Sequence, residues 1–259
     1  MRTGGIGGML KATRIEYMSS TEHKTGSPAV RLKEAWKIYD LGRTKVEAVK
    51  GVNIAIQEGD FASIAGPSGS GKSTILNLIG CIDVATSGIV EVAGHETSGL
   101  SDRDITRLRH ETIGFIFQSF NLIPVLNVYE NIEFPLLLGK KPPSKAERRE
   151  YVDYLIEAVG LTDWRTHRSN ELSGGQRQRV AVARALVTRP RIVLADEPTA
   201  NLDSKTGASI IELMKRINQE LATTFVFSTH DPTIVDIADH VIRLHDGQVA
   251  EDTKSAVSV

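Results

Sequence analysis

Gly66-Pro67-Ser68-Gly69-Ser70-Gly71-Lys72-Ser73 fits the pattern G-x-x-x-x-G-K-[ST]. In that pattern a glycine-rich loop opens a helix and presents backbone N–H groups to phosphates. The context agrees with the motif. Phe61-Ala62-Ser63-Ile64-Ala65 reads as a short buried strand, and Thr74-Ile75-Leu76-Asn77-Leu78-Ile79 carries apolar residues at helical spacing. The loop therefore sits at a helix N-terminus, where unsatisfied N–H groups and the positive end of the macrodipole face an anion. Lys72 is placed to reach the β- and γ-phosphates, and Ser73 to ligate magnesium. The expected ligand is a nucleoside triphosphate.

Such a loop serves many activities, so two further stretches carry the reading. Arg191-Ile192-Val193-Leu194-Ala195-Asp196-Glu197-Pro198 is an apolar strand ending in adjacent carboxylates. Successive side chains leave a strand in opposite directions, so Asp196 can hold the magnesium shell while Glu197 points toward an attacking water. The second stretch is Glu171-Leu172-Ser173-Gly174-Gly175-Gln176. Ser173 reads as the N-cap of a helix from Gln176 to Val187, with Val180, Ala183 and Leu186 or Val187 on one face. A second anion-binding helix end in a chain that already has a phosphate loop suggests a triphosphate held by another copy of the protein.

With these residues in view, the chain resembles the nucleotide-binding subunits of ATP-binding cassette transporters over about residues 30 to 250, and Leu172-Ser173-Gly174-Gly175-Gln176 matches that family's signature. The resemblance implies an α/β P-loop NTPase core of RecA-like type with antiparallel β elements and an inserted α-helical subdomain at about 119–188. It implies ATP and Mg2+ as ligands, hydrolysis of ATP to ADP and phosphate, and a dimer with a second copy. Tyr39 would stack on adenine. Gly66 to Ser73 with Thr74 would hold the phosphates, and Ser73, Gln118 and Asp196 the metal. Ser173, Gly174, Gly175 and Gln176 would complete the partner copy's site, with Asp203 of Asn201-Leu202-Asp203 crossing the interface. Catalysis would fall to Glu197, His230 and Lys72. Among transporters, Leu78-Ile79-Gly80-Cys81-Ile82-Asp83 and Gly114-Phe115-Ile116-Phe117-Gln118-Ser119-Phe120-Asn121-Leu122-Ile123-Pro124 are similar to the lipoprotein-releasing and macrolide-exporting group, which implies export or membrane extraction. The alternative is a non-transport cassette ATPase, in cell division, DNA repair or on ribosomes.

The rest of the chain bounds these expectations. At 259 residues with net charge −1 it can bury a full core and has no basic field that would advertise a nucleic-acid partner. Its single cysteine, Cys81, excludes an internal disulfide. The densest apolar run, Phe134 to Leu138, is far too short to span a membrane. Gly4, Gly5, Gly7 and Gly8 interrupt any secretory h-region. The expected location is the cytoplasmic face of the cell membrane, held there by a permease.

Strands are expected at 52–56, 61–65, 88–92, 113–117, 191–195 and 224–229, separated by helices, which argues for a largely parallel sheet. A closing hairpin is expected on an Asp246-Gly247 type I′ turn. Val30, Leu32, Trp36 and Ile38 should share one strand face, interrupted by Glu34, and Tyr39 the other. Tyr151, Tyr154, Leu155, Ala158 and Val159 should share a helix face. The permease contact is expected on Ser119 to Phe134, where Phe120, Leu122, Ile123, Leu126 and Val128 should be exposed. Residues 1–28 are expected to be a flexible extension, with Met18 an alternative start.

Overall fold

The computed structural model describes residues 28–42, 44–140 and 142–254; the expectations for the N-terminal extension and for Met18 lie outside them, save for residue 28. In chain order the strands are β1 (Val30–Asp40), β2 (Lys45–Ile56), β3 (Phe61–Ala65), β4 (Ser87–Val92), β5 (His95–Glu96), β6 (Ile113–Ile116), β7 (Ile192–Asp196), β8 (Thr224–Thr229), β9 (His240–His245) and β10 (Gln248–Asp252). The α-helices are α1 (Lys72–Ile79), α2 (Asp102–Thr112), α3 (Val128–Leu137), α4 (Lys145–Ala158), α5 (Gly174–Leu186), α6 (Ser204–Leu221) and α7 (Pro232–Ile237).

Two sheets divide the strands. One is antiparallel, in the order β2-β1-β4-β5; the other runs β10-β9-β3-β8-β7-β6, parallel apart from β10. Strands β3 and β8 are buried throughout, as expected for central parallel strands covered on both faces. Their alternation still sorts the two cores. Phe61, Phe225, Phe227, Val193 and Ala195 face α5 and α6, while Ile64, Val226, Ile192 and Leu194 face α1 and the antiparallel sheet. The Phe61 and Phe227 rings lie 4.5 Å apart at the centre of the first core. Truncating such a buried ring costs about 3–5 kcal/mol.

Because β3, β6, β7 and β8 are mutually parallel, their C-terminal ends share one edge. The register pairs Ala65 with Thr229, Asp196 with Ser228 and Ile116 with Ala195. Four loops from widely separated parts of the chain therefore emerge side by side, which is where open α/β sheets place their ligands.

Three local expectations are corrected. In β1 the alternation breaks at Glu34, which has φ 46° and opens a bulge, so that Ala35 is buried and Trp36 and Ile38 are half-buried. Gly88 permits this, since a Cβ there would lie 2.0 Å from the Glu34 carbonyl oxygen. Helix α4 buries Val152, Leu155 and Ile156, with Tyr151, Tyr154 and Ala158 only half-buried at the edge. Helix α5 lies against α3, α6 and β6, so Val180, Ala181, Val182 and Ala183 are all fully buried rather than a single stripe.

The fourth correction concerns residues 119–134. Val128 is buried, Leu122 packs on the core beneath the helices, and the Phe120 ring lies under the Arg177 guanidinium. Within this stretch the exposed large apolar side chains are instead Val125 and Phe134, with Leu137 and Leu138 just beyond it, and Ile123 and Leu126 are half-buried. Buried Asn131 explains the inward packing. It accepts the Ile123 N–H and donates to the carbonyls of Ile123, Leu126 and Asn127, so the loop folds around its side chain.

Candidate functional site

The phosphate loop leaves β3 at Ala65 and enters α1 at Lys72. Gly66, Gly69 and Gly71 have φ of 154°, 82° and 99°, and a Cβ on Gly71 would lie 2.5 Å from the Ala48 carbonyl oxygen. This is a backbone only glycine adopts comfortably, and it fits a cradle for phosphate oxygens. Lys72 is buried and its ammonium donates to the carbonyls of Gly66 and Pro67, at 2.8 and 2.9 Å, across the loop it must serve. Ser73 Oγ, on the second residue of the helix, lies 3.3 Å from Asp196 Oδ1 at the end of β7. A hydroxyl beside a carboxylate is the hard oxygen pair that magnesium takes.

Glu197 follows immediately, with φ 45°. A non-glycine residue in this region costs about 1–3 kcal/mol and persists only where its surroundings hold it. Here its N–H donates to the Ser228 carbonyl at 2.8 Å, and its carboxylate meets His230 Nδ1 at 2.8 Å and Thr229 Oγ1 at 3.5 Å, both at the end of β8. His230 is exposed and free to change partner, whereas Glu197 is largely covered.

Tyr39 stands at the end of β1. Its hydroxyl donates to Asp83 Oδ2 at 2.8 Å, and Lys37 bonds Asp83 while lying 4.9 Å from the tyrosine ring centre. Burial and the Asp83 contact raise the Tyr39 pKa. Burial alone would raise that of Asp83, but the bonds from Lys37, Tyr39 and the Val84 N–H hold it below its ordinary value. The ring is thus anchored beside the end of α1. Cys81 is buried there too, and burial pushes its thiol up to about 11, so it is an inert packing group.

Gln118 is exposed in the turn after β6, and its carbonyl accepts from Asn201 Nδ2 at 2.9 Å. Beyond it, Phe120 and Asn121 are both left-handed (φ 60° and 48°), and their carbonyls accept from the two terminal nitrogens of Arg184 at 2.7 and 2.5 Å.

Ser173 caps α5 as expected. It accepts the Gln176 N–H, and Gln176 Oε1 accepts the Ser173 N–H at 2.8 Å, closing a capping box. Gly174 and Gly175 let the start of α6 and the loop before it approach, since a Cβ on Gly175 would lie 2.5 Å from Thr206 Cγ2 and one on Gly174 3.3 Å from Leu202 Cδ2. Asp203 caps α6 by accepting the Thr206 N–H at 3.0 Å. Hydrogen bonds from Thr206 hold the carboxyl below its ordinary pKa.

Sequence reasoning missed the braces behind these groups. Thr199 Oγ1 donates to Asp231 Oδ2 at 2.9 Å, tying the turn after Glu197 to the turn after His230, and buried Gln178 donates to the Pro198 carbonyl. Asp231-Pro232 was readable as an N-cap followed by proline at the first helical position. Nothing local marks Thr199 or Gln178.

A phosphate loop, a hydroxyl–carboxylate pair and a carboxylate–histidine pair at one sheet edge define a nucleoside triphosphatase of the P-loop class. Comparison with known proteins narrows the class. A profile of the ABC transporter family matches residues 49–200. An uncharacterized ABC transporter ATP-binding protein of Thermotoga maritima is 47% identical over 220 residues, 85% of this chain and 93% of that protein. The lipoprotein-releasing system ATP-binding protein LolD 1 of Rhodopseudomonas palustris is 44% identical over 83% of this chain and 95% of its own length. The macrolide export ATP-binding/permease protein MacB of Bdellovibrio bacteriovorus is 42% identical over 87% of this chain but only 34% of that longer protein. Among solved structures, the dimeric post-hydrolysis state of the cassette MJ0796 of Methanocaldococcus jannaschii, bound to ADP and Pi, superposes with a TM-score of 0.79 at 46% identity, covering 86% of this chain and 97% of that one. The chain belongs to the ABC transporter family. It is an ATP-binding, ATP-hydrolysing subunit, and among the described residues no helix is long and apolar enough to cross a membrane.

Proposed function

We propose that this subunit works as a homodimer at the cytoplasmic face of a membrane, powering export or membrane extraction of a substrate of the lipoprotein-releasing or macrolide-exporting kind through a partner permease. The observation that carries the site assignment is the convergence on one edge of Lys72, the Ser73–Asp196 pair and the Glu197–His230 pair. In this reading Tyr39 stacks on adenine, the loop from Gly66 to Thr74 holds the triphosphate, and Ser73, Asp196 and Gln118 hold Mg2+. When bound, that ion would neutralise charge on the phosphate oxygens. Glu197 takes a proton from a water whose oxygen bonds the γ-phosphorus as the bond to ADP breaks, and His230 orients the Glu197 carboxylate.

Ser173 to Gln176 and Asp203 belong, in this reading, to the site of the second copy. The dimeric MJ0796 cassette supports that arrangement. The helical segment at about 119–188 is proposed as a subdomain that meets the permease near 119–134. Support comes from the exposed Val125 and Phe134, and from an adjoining groove of about 810 Å³ between α2 and the end of α3, lined by Phe115, Phe117 and Leu138 with Arg103, Arg107 and Lys140.

The test is Glu197→Gln with ATP and magnesium, followed by size-exclusion chromatography. Turnover should fall about 10²–10⁴-fold, and a stable dimer should accumulate. A variant that stays monomeric in saturating ATP and hydrolyses at the parental rate sinks the assignment.

A further inference from the structure

We propose that the β9–β10 turn, Asp246-Gly247, is a working part of the nucleotide site, a strut that sets the direction in which the phosphate loop points its N–H donors. The proposal rests on the assignment of Gly66–Ser73 as the triphosphate cradle.

The turn lies against that loop from the far end of the chain. Gly247 N–H donates to the Ser70 carbonyl at 3.1 Å, and the Gly247 carbonyl accepts from the Lys50 N–H at 2.8 Å. The strand leading into the turn is equally close, since a Cβ on Gly66 would lie 2.4 Å from the Leu244 carbonyl oxygen. One flank of the loop is thus walled by the hairpin and by β2.

The Ser70–Gly71 peptide gives these contacts a consequence. A trans peptide is planar, with its C=O and N–H pointing in opposite directions. Holding the Ser70 carbonyl toward Gly247 therefore turns the Gly71 N–H away from the hairpin, to the side on which the cradle opens. A peptide flanked by glycine has little conformational preference of its own, so without the strut it would be free to flip. Flipping would replace a donor with a carbonyl oxygen facing a phosphate.

The hairpin is rigid enough to act this way. Asp246 and Gly247 both have positive φ, 48° and 81°, as a two-residue type I′ connection requires. At the other end of the hairpin fully buried His240 is held between Asp60 Oδ2 at 3.3 Å and Asp252 Oδ1 at 2.7 Å, and Lys254 closes on Asp60 at 2.8 Å. The strut is pinned at base and tip.

The experiment compares Gly247→Val, Gly247→Asn and Lys72→Ala in the full chain by titration with ATP and magnesium, steady-state kinetics and thermal melting. A β-branched residue is strained at φ 81°, whereas asparagine tolerates it. Gly247→Val should raise Kd and KM for ATP about tenfold with kcat changed less than about twofold, and Gly247→Asn, which tolerates the φ but carries the same Cβ against the Ala48 carbonyl, should raise them only about threefold. A merely structural role would lower the melting temperature without that division between KM and kcat. If Gly247→Val yields no folded protein, Gly247→Ala carries the test, because its Cβ would lie 3.0 Å from the Ala48 carbonyl oxygen; a rise in KM of about threefold is expected. Parental affinity in every folded Gly247 variant, alongside lost affinity in Lys72→Ala, refutes the strut and leaves the cradle standing. Parental affinity in Lys72→Ala refutes the cradle, and the strut with it.

Discussion

The sheet edge and the N-terminus of α5 are both proposed as anion sites, yet they are assembled in opposite ways. At the edge, Lys72, Ser73, Asp196, Glu197 and His230 come from the ends of three different strands; Lys72 bonds its own loop, but the Ser73–Asp196 and Glu197–His230 pairs join partners distant in sequence. At the α5 terminus, Ser173 and Gln176 satisfy each other within four residues. The first is a product of the fold. The second is complete locally, and in the proposed reading its remaining N–H donors face a ligand brought by another copy. A site divided between copies suits this asymmetry, because catalysis then waits on association.

The comparison can be broken most directly at Lys72. Lys72→Ala removes a charge-assisted donor, so triphosphate affinity should fall about 10–100-fold and turnover should vanish, as read by titration and phosphate release. Ser173→Arg should leave affinity for the first nucleotide unchanged but lower turnover about 100-fold by obstructing the partner copy's site. Equal loss of affinity in both variants would place the two anion sites in one copy and end the contrast drawn above.

A smaller effect tests whether the edge depends on its braces. Thr199→Val removes the hydroxyl that donates to Asp231, and it should cost about 1–2 kcal/mol, with kcat falling a few-fold while KM holds. No change in either kcat or melting temperature would mean that the two turns find their places without it.

The smallest effect is expected at His240 and depends on pH. Burial lowers the His240 pKa, but the hydrogen bonds and charges of Asp60 and Asp252 outweigh it and leave it raised. Lys254, bonded to Asp60, also faces the cluster. Burial raises Asp60 in turn, but the bonds from His240, Lys254 and the Gln57 N–H leave it lowered. A raised histidine stabilises the fold fully below its unfolded value of about 6.5 and loses that contribution as pH climbs through the folded value. The lowered Asp60 contributes above its unfolded value of about 3.9 and loses its contribution as pH falls through the folded one. His240→Gln should therefore melt about 2–4 °C below the parent near pH 6, with the gap closing as the pH rises. A gap that widens with pH would reverse the assigned charge state.

Where local chemistry was decisive, the sequence was sufficient by itself. Glycines and Lys72 between a buried strand and a helix specify a phosphate loop. Ser173 with Gln176 three residues on specifies a cap, and Asp246-Gly247 specifies a two-residue hairpin. Each follows from φ/ψ preference or from hydrogen bonds closed within a few residues. The Glu34 bulge was not readable, because it depends on room left by Gly88 across the sheet. Nor was the inward packing of Leu122 and Val128, which follows from Asn131 folding a loop around its own amide. Tertiary structure alone set Thr199 against Asp231, Gln178 against Pro198 and Gly247 against Ser70. These pairs lie between twenty and almost two hundred residues apart, and no periodicity or local propensity records a contact made only when the sheet closes.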